Sequence, residues 1–318
     1  MKIRSIKYKI SGLVLTCLLG ICFSLIHANV SVAAEKVIGV VMTGKIPYYE
    51  AIHKAFVDEM NKSGLLTSEN LQVVVQKPAP EAMSWTNAIR KLVAYDASVI
   101  VTYGAPVTLT ALNETKKIPI VFAGVYDPDS VKIPNNKATG ISSKVPISTV
   151  LKNLKSMSGF SKLGVVYNDA EKDTIAQADE IKKLQEKFGF ESVLFNIKRT
   201  GDESKIKDVD AVYMTTSCAA MYCVNNIVGV ARRAKMPTAT TIGGGEDIGV
   251  LLTIAADPDE QGSKAAQIVG KVIKGSSTAS IPFESPKKVY MVVNLKEAKA
   301  IDVKVPFSIL TSATKVIK

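Results

Sequence analysis

Residues 118–130 read IPIVFAGVYDPDS. The first half, Ile118 to Ala123, is apolar on every side chain that follows the proline, so neither face is meant for water. A strand of that kind belongs in a sheet covered on both faces, and such sheets are parallel. The second half changes at once to Tyr126, Asp127 and Asp129 around a proline. Asp-Pro-Asp is ordinary turn chemistry. The abrupt change from core to polar residues also fits a strand that delivers side chains to a cleft.

The same pattern extends in both directions. Apolar strands are expected at 37–43 (VIGVVMT), 71–76 (LQVVVQ), 98–103 (SVIVTY) and 118–123. Amphipathic helices separate them. PYYEAIHKAFVDEMNKSG carries Ile52, Phe56 and Met60 at four-residue steps, begins at Pro47 and stops at Gly64. SWTNAIRKLVAY places Ile89, Leu92 and Val93 on one face. A second set opens at KLGVVYN (162–168) and continues through ESVLFNI (191–197), DAVYMTT (210–216) and MPTATTI (236–242). The openings VIGVVMTG and KLGVVYND resemble each other. The fold class is therefore α/β: two doubly wound, Rossmann-like lobes with parallel sheets. One continuous sheet is the alternative, and so many strands in one open sheet would be unusual. The stretch NNKATGISSKVPI between the two sets reads as a loop, marked by Asn135, Asn136 and Gly140.

The chain begins with Lys2, Arg4, Lys7 and Lys9, then an uncharged apolar run at 11–26, then Val32 and Ala34 at signal-peptidase spacing. Residues 1–34 read as a secretory signal peptide, and the protein as exported to the periplasm. The apolar run is shorter than the roughly 20 residues that span a bilayer, which disfavours an uncleaved anchor. Ile21 before Cys22 disfavours a lipid anchor. Removing the four leader cations from 40 basic residues leaves a surplus of seven over 29 acidic ones. That surplus is spread over helix faces and implies no nucleic-acid partner. Beyond the leader stand one histidine, His53, and two cysteines, Cys218 and Cys223. A disulfide between the latter needs Cys218 in the loop before its helix; otherwise they are two buried thiols. No metal or other cofactor is expected.

In open parallel sheets ligands bind beyond the carboxyl ends of the strands. Six such ends turn polar: VVMTGKIPYY, VTYGAPVT, VFAGVYDPDS, VVYNDAEKDT, VYMTTSCA and TATTIGGGED. They nominate Tyr126 and Asp127 on one rim, and Asn168, Thr216 and Ser217 on others. No Ser-His-Asp set, phosphate loop or spaced-glycine dinucleotide motif is present. Binding without catalysis, by closure of two lobes on a small solute, is the economical reading.

The order and spacing of IPIVFAGVYDP, ATGISSKVPI, LGVVYNDAE with AQADEIKK, DAVYM, and IPFESPKKVYMVVNLKEAKAIDVKVP resemble the solute-binding proteins of ABC importers. The likeness is to the type I periplasmic-binding group that includes tryptophan/tyrosine-type transport components, over roughly residues 37–306. The resemblance implies three crossings between lobes: 35–143 with 256–280, and 144–255 with 281–318. It implies a monomeric receptor that delivers a small ligand, such as an amino acid, to a membrane permease. A carboxylate would suit the helix start at Gly104, Ala105, Pro106 and Thr108. An ammonium would suit Asp127 or Asp257, and a side chain would stack on Tyr48, Tyr49, Tyr103 or Tyr126. The chain departs from the group at Gly44 and Lys45, where an acid and a histidine are usual, and at Gly243–Gly245. Lys45 could pair with a ligand acid, and Glu246 or Asp247 could replace missing carboxylates. A sensory ligand-binding component and a secreted hydrolase acting through Asp127 are the competing readings.

Overall fold

The computed structural model describes residues 35–318; the expected signal peptide, with its cysteines, lies outside the described residues. Strand β1 (Lys36–Val41) leads into helix α1 (Pro47–Lys62) and the short α2 (Leu65–Ser68). Then follow β2 (Leu71–Gln76), α3 (Ala82–Ala94), β3 (Val99–Tyr103), α4 (Ala105–Glu114), β4 (Ile120–Val125) and β5 (Ala138–Ser142). These strands form one sheet in the order β2-β1-β3-β4-β5, parallel throughout. The expected loop at Asn135–Gly140 is in part a strand, β5. Its small residues misled the reading, and the sheet needs them: a Cβ on Gly140 would lie 2.1 Å from the Phe122 carbonyl oxygen.

The second set comprises α5 (Ile147–Ser158), β6 (Lys162–Tyr167), α6 (Lys172–Lys183), α7 (Gln185–Phe188), β7 (Glu191–Asn196) and β8 (Ala211–Met214). It continues with α8 (Cys218–Tyr222), α9 (Val224–Arg233), β9 (Thr238–Thr240) and β10 (Leu252–Ala256). Helix α10 (Pro258–Ile273) follows, then β11 (Val289–Asn294), α11 (Leu295–Ala300), α12 (Phe307–Ser312) and β12 (Lys315–Ile317). The second sheet runs β12-β11-β10-β9-β8-β6-β7. Its first five strands in chain order repeat the 2-1-3-4-5 order of the first sheet.

The expected two lobes with parallel sheets are found, and the second sheet carries an antiparallel addition at one edge. Strand β11 is antiparallel to β10, and β12 follows β11. The reason is the path of the chain. Helix α10 packs on α1 in the first lobe. The chain then re-enters the second sheet beside the end of β10, where Val289 pairs with Ala256. It meets the sheet from the end at which the other strands finish.

Burial follows the periodicity. Ile52, Phe56 and Met60 of α1 are buried, as is every residue of β3, β4 and β5. Each large apolar side chain removed from water contributes about 1.5–3 kcal/mol. Helix α10 approaches α1 so closely that a Cβ on Gly262 would lie 2.2 Å from the Ile52 carbonyl oxygen. Residues Lys36–Lys318 form one compact unit. Among the described residues no helix is long and apolar enough to cross a membrane.

Candidate functional site

In a 2-1-3-4-5 sheet the strand order reverses between the first and third strands, leaving a crevice at their carboxyl ends. Here the two crevices follow β1 and β3 in the first lobe and β6 and β8 in the second. The segments leaving these four strands meet. The first turn of α1 reaches both the crossing and the second lobe: the Tyr48 hydroxyl donates to the Ala256 carbonyl, where β10 ends, at 2.8 Å, and the Tyr49 hydroxyl lies 4.0 Å from Cys218 Sγ. Helix α4 touches α6 from the other lobe.

Two carboxylates dominate the second lobe's side. Glu171, at the N-cap of α6, is 1% exposed. It accepts hydrogen bonds from Asn168 Nδ2 (3.1 Å), Ser217 Oγ (2.9 Å) and the backbone N–H groups of Cys218 (2.8 Å) and Ala219 (3.3 Å). Asp173, in the first turn of α6, is 2% exposed. Its Oδ2 accepts from Thr216 Oγ1 at 3.0 Å, and Thr216 Oγ1 accepts from Gln177 Nε2 at 2.6 Å. Its Oδ1 is buried and accepts no hydrogen bond among the described residues. Buried polar atoms are nearly always paired, and an unpaired buried charge is costly. Burial first, and then the neighbouring Glu171, pushes the Asp173 carboxyl up to about 7. Burial also raises Glu171, with its four donors pulling the other way. The Tyr49 hydroxyl is held well above its ordinary range by burial, then by Cys218, Asp173 and Glu171. The Cys218 thiol is raised by burial and the same two acids. Among the described residues this cluster leaves one buried oxygen, Asp173 Oδ1, without a hydrogen bond, close enough to Tyr49 for the two to influence each other's ionisation.

Several nominated residues gather here. Tyr48, Tyr103, Gly104, Ala105, Pro106 and Thr108 stand on the first lobe's side; Asn168, Thr216, Ser217 and Gly243 stand on the second's. The Tyr103 hydroxyl pairs with His53 Nδ1 at 3.1 Å, and its ring lies 6.4 Å from that of Tyr49. Gly104 has φ of 88°, and a Cβ there would lie 2.3 Å from the Tyr49 hydroxyl oxygen. The Thr108 hydroxyl is bonded inside its own turn, donating to the Gly104 carbonyl at 2.8 Å.

Other nominated residues have different work. The Tyr126 ring is not on a rim: it is buried in the second lobe's core, and its hydroxyl donates to the Val145 carbonyl (3.1 Å) and Glu180 (3.3 Å). A six-residue strand that ends in a β-bulge carries the ring past the cleft into the neighbouring lobe. Asp127 is ion-paired with Lys144 and accepts from the Ser130 N–H at 3.3 Å. Asp257 caps α10, accepting from the Glu260 N–H at 2.8 Å. Asp247 is exposed, 3.9 Å from Lys315, and Lys45 is exposed. Glu246 holds its own loop, accepting from the Gly244 N–H at 2.6 Å and the Tyr290 hydroxyl at 3.4 Å. The three glycines allow close backbone approach. A Cβ on Gly243 would lie 1.8 Å from the Tyr290 hydroxyl oxygen, and one on Gly244 would lie 2.6 Å from Pro47 Cβ. Cys218 and Cys223 are both free and buried. Cys218 begins α8 facing Tyr49, while Cys223 follows its end facing Thr200 at 3.6 Å.

Glu171, Asp173 and Gln177 were missed. Acidic residues at a helix start read as ordinary capping. The available signal was periodic: stepping back by four from the buried Ile181 gives Gln177 and then Asp173, both on the buried face of α6.

The sequence pattern of a family described as ABC transporter substrate binding protein matches residues 37–317. A tyrosine-binding protein of Clostridioides difficile (strain R20291) is 24% identical over 280 residues, 84% of this chain and 81% of that protein. A Streptococcus pneumonia domain solved in complex with L-Trp superposes with a TM-score of 0.83 at 20% identity, covering 89% of this chain and all of the other. A conserved domain protein from Vibrio cholerae gives 0.84 at 20% identity, over 88% of this chain and 99% of that one. The ligand-free, open structure of a Clostridium difficile substrate-binding protein with adhesive properties gives 0.63 at 22% identity, over 89% and 99%.

Proposed function

The chain belongs to the ABC transporter substrate-binding protein family, and from that premise we propose that it captures an amino acid between its lobes and hands it to an importer's membrane permease. The observation that carries the ligand reading is the bare, buried Oδ1 of Asp173, in the first turn of α6, the helix that touches α4 of the first lobe. An α-ammonium brings three donors and a positive charge. It would supply the missing partner and offset the burial of the acid. The α-carboxylate, carried on the same carbon as the ammonium, would meet the first turn of α4, where backbone N–H groups lack intrahelical acceptors. The Tyr49 and Tyr103 rings would flank its side chain, in keeping with an aromatic amino acid.

Ligand would bridge the two crevices and shift the molecule toward the closed form. The lobes in this proposal are 35–143 with 256–280, and 144–255 with 281–318. Ile281–Glu284 remains attached along β5 through Ser142 N to Glu284 O (2.8 Å) and Glu284 N to Gly140 O (3.0 Å). The third crossing is therefore best placed after Glu284. We further propose that the mature chain works outside the cytoplasmic membrane as a monomer and carries out no catalysis.

Calorimetric titration of the purified protein with single amino acids tests the reading. Saturable binding of tyrosine or tryptophan is expected. Absence of binding by every amino acid would overturn the ligand class.

A further inference from the structure

We propose that a proton on the Asp173–Glu171 pair stands in for a bound cation, so that the ligand-free protein closes at acid pH and opens at alkaline pH. The geometry supplies the device. Asp173 lies where the lobes meet, with Oδ2 held by Thr216 and Oδ1 without a partner. Glu171, two residues before it, already has four donors. Closing the molecule around an empty site therefore buries an acid oxygen whose negative charge a proton or a cation would offset.

The groups facing Asp173 offer no permanent cation. Tyr49 approaches from α1 and Cys218 from α8; both are neutral acids raised by the same burial. Thr216 and Gln177 are uncharged. On α6 itself Lys172 is exposed. Of the elements packed against α6, α4 presents Ala105, Pro106 and Thr108 at its near end, and α5 contributes Lys155, bonded to the carbonyls of Phe160 and Gly189. Beyond β6 and β7, Lys198 is paired with Asp169 at 2.8 Å.

The sign follows from linkage. With the lobes arranged as in this structure, the Asp173 carboxyl is raised to about 7 by burial and then by Glu171, and this arrangement is taken as the closed form. Parting the lobes wets the cleft and returns the acid toward its ordinary range near 4. Closure thus takes up a proton. The preference for the closed form is complete below the ordinary carboxylate range and disappears as pH rises through about 7. Between these limits the closed-to-open ratio falls roughly tenfold per pH unit. This rests on the proposed function for the opening and closing of the two lobes and for the identity of the competing cation, and its test needs no ligand.

The test is small-angle X-ray scattering of ligand-free protein at about pH 5 and about pH 9, on either side of the transition. The wild-type radius of gyration should be smaller at acid pH. Asp173→Asn should be compact at both, and Asp58→Asn, an exposed acid paired with Lys54 within α1, should respond like wild type. An unchanged wild-type radius, or an Asp173→Asn variant that opens as wild type does, would overturn the proposal. If Asp173→Asn fails to fold, the wild-type comparison decides alone. A failed amino-acid titration would leave this result standing.

Discussion

Tyr48, in the first turn of α1, donates its hydroxyl hydrogen to the carbonyl of Ala256 at the last residue of β10, 2.8 Å away. The bond joins a helix of the first lobe to a strand of the second sheet where the chain crosses between them. Both groups are buried, and burial holds the hydroxyl far above its ordinary range, so it stays protonated and remains a donor.

Tyr48→Phe leaves the Ala256 carbonyl without that donor. An unsatisfied buried acceptor costs about 1–3 kcal/mol. For a chain of this size each kcal/mol corresponds to roughly 2–4 °C in Tm. Thermal unfolding should show a fall of a few degrees with and without ligand. An unchanged Tm in both states would mean that the bond is not maintained.

Asp173→Asn should weaken ligand binding by about 10- to 100-fold, the worth of a charge-assisted hydrogen bond of roughly 1.5–3 kcal/mol. The same substitution removes a buried acid without a full set of partners. The ligand-free protein should therefore keep or gain stability above about pH 7. Calorimetric affinity and ligand-free Tm, measured on one preparation, separate these opposite effects; loss of both would indicate a misfolded variant.

Gly243→Ala places a methyl group where the Tyr290 hydroxyl now sits, 1.8 Å away. Overpacking of this kind costs about 1–3 kcal/mol. Tyr290→Phe removes the obstructing oxygen, leaving the ring carbon at 3.1 Å. In a double-mutant cycle on urea midpoints, the Phe change should recover most of the loss. Simple additivity would place the cost elsewhere in the loop.

Cys218 and Cys223 should both resist a thiol reagent in the native state and both react in denaturant. Burial raises both thiols and keeps them from the reactive thiolate form. Their side chains face different partners, Tyr49 and Thr200, so no oxidation mass loss is expected. A native thiol titre of zero with no gain on unfolding would reveal a disulfide.

The framework was legible because its signals are strong and repeated. Strands such as Val99–Tyr103 and Ile120–Val125 are buried on both faces and therefore apolar at every position, and Ile52, Phe56 and Met60 mark one helix face. Strand β5 was not legible, because Ala138, Thr139 and Gly140 are small where they pass Phe122, and small residues resemble a loop. The polar strand ends were found, but Glu171 and Asp173 were not singled out among them. Asp127 and Asp257 sit at strand ends too, and local bonding to a turn and a helix cap occupies them. Asp173 differs only in what faces it across the gap, and that depends on a partner lobe far away in sequence.

Both sheets use one strand order, yet their crevices bring opposite chemistry: tyrosine rings and a helix start from one, a pair of acids from the other. In the proposed mode of binding, a solute held between them would be read by both halves of the chain, each through its own groups. Altered selectivity could then arise by changing one half alone, while the other preserves its grip on the common part of the molecule.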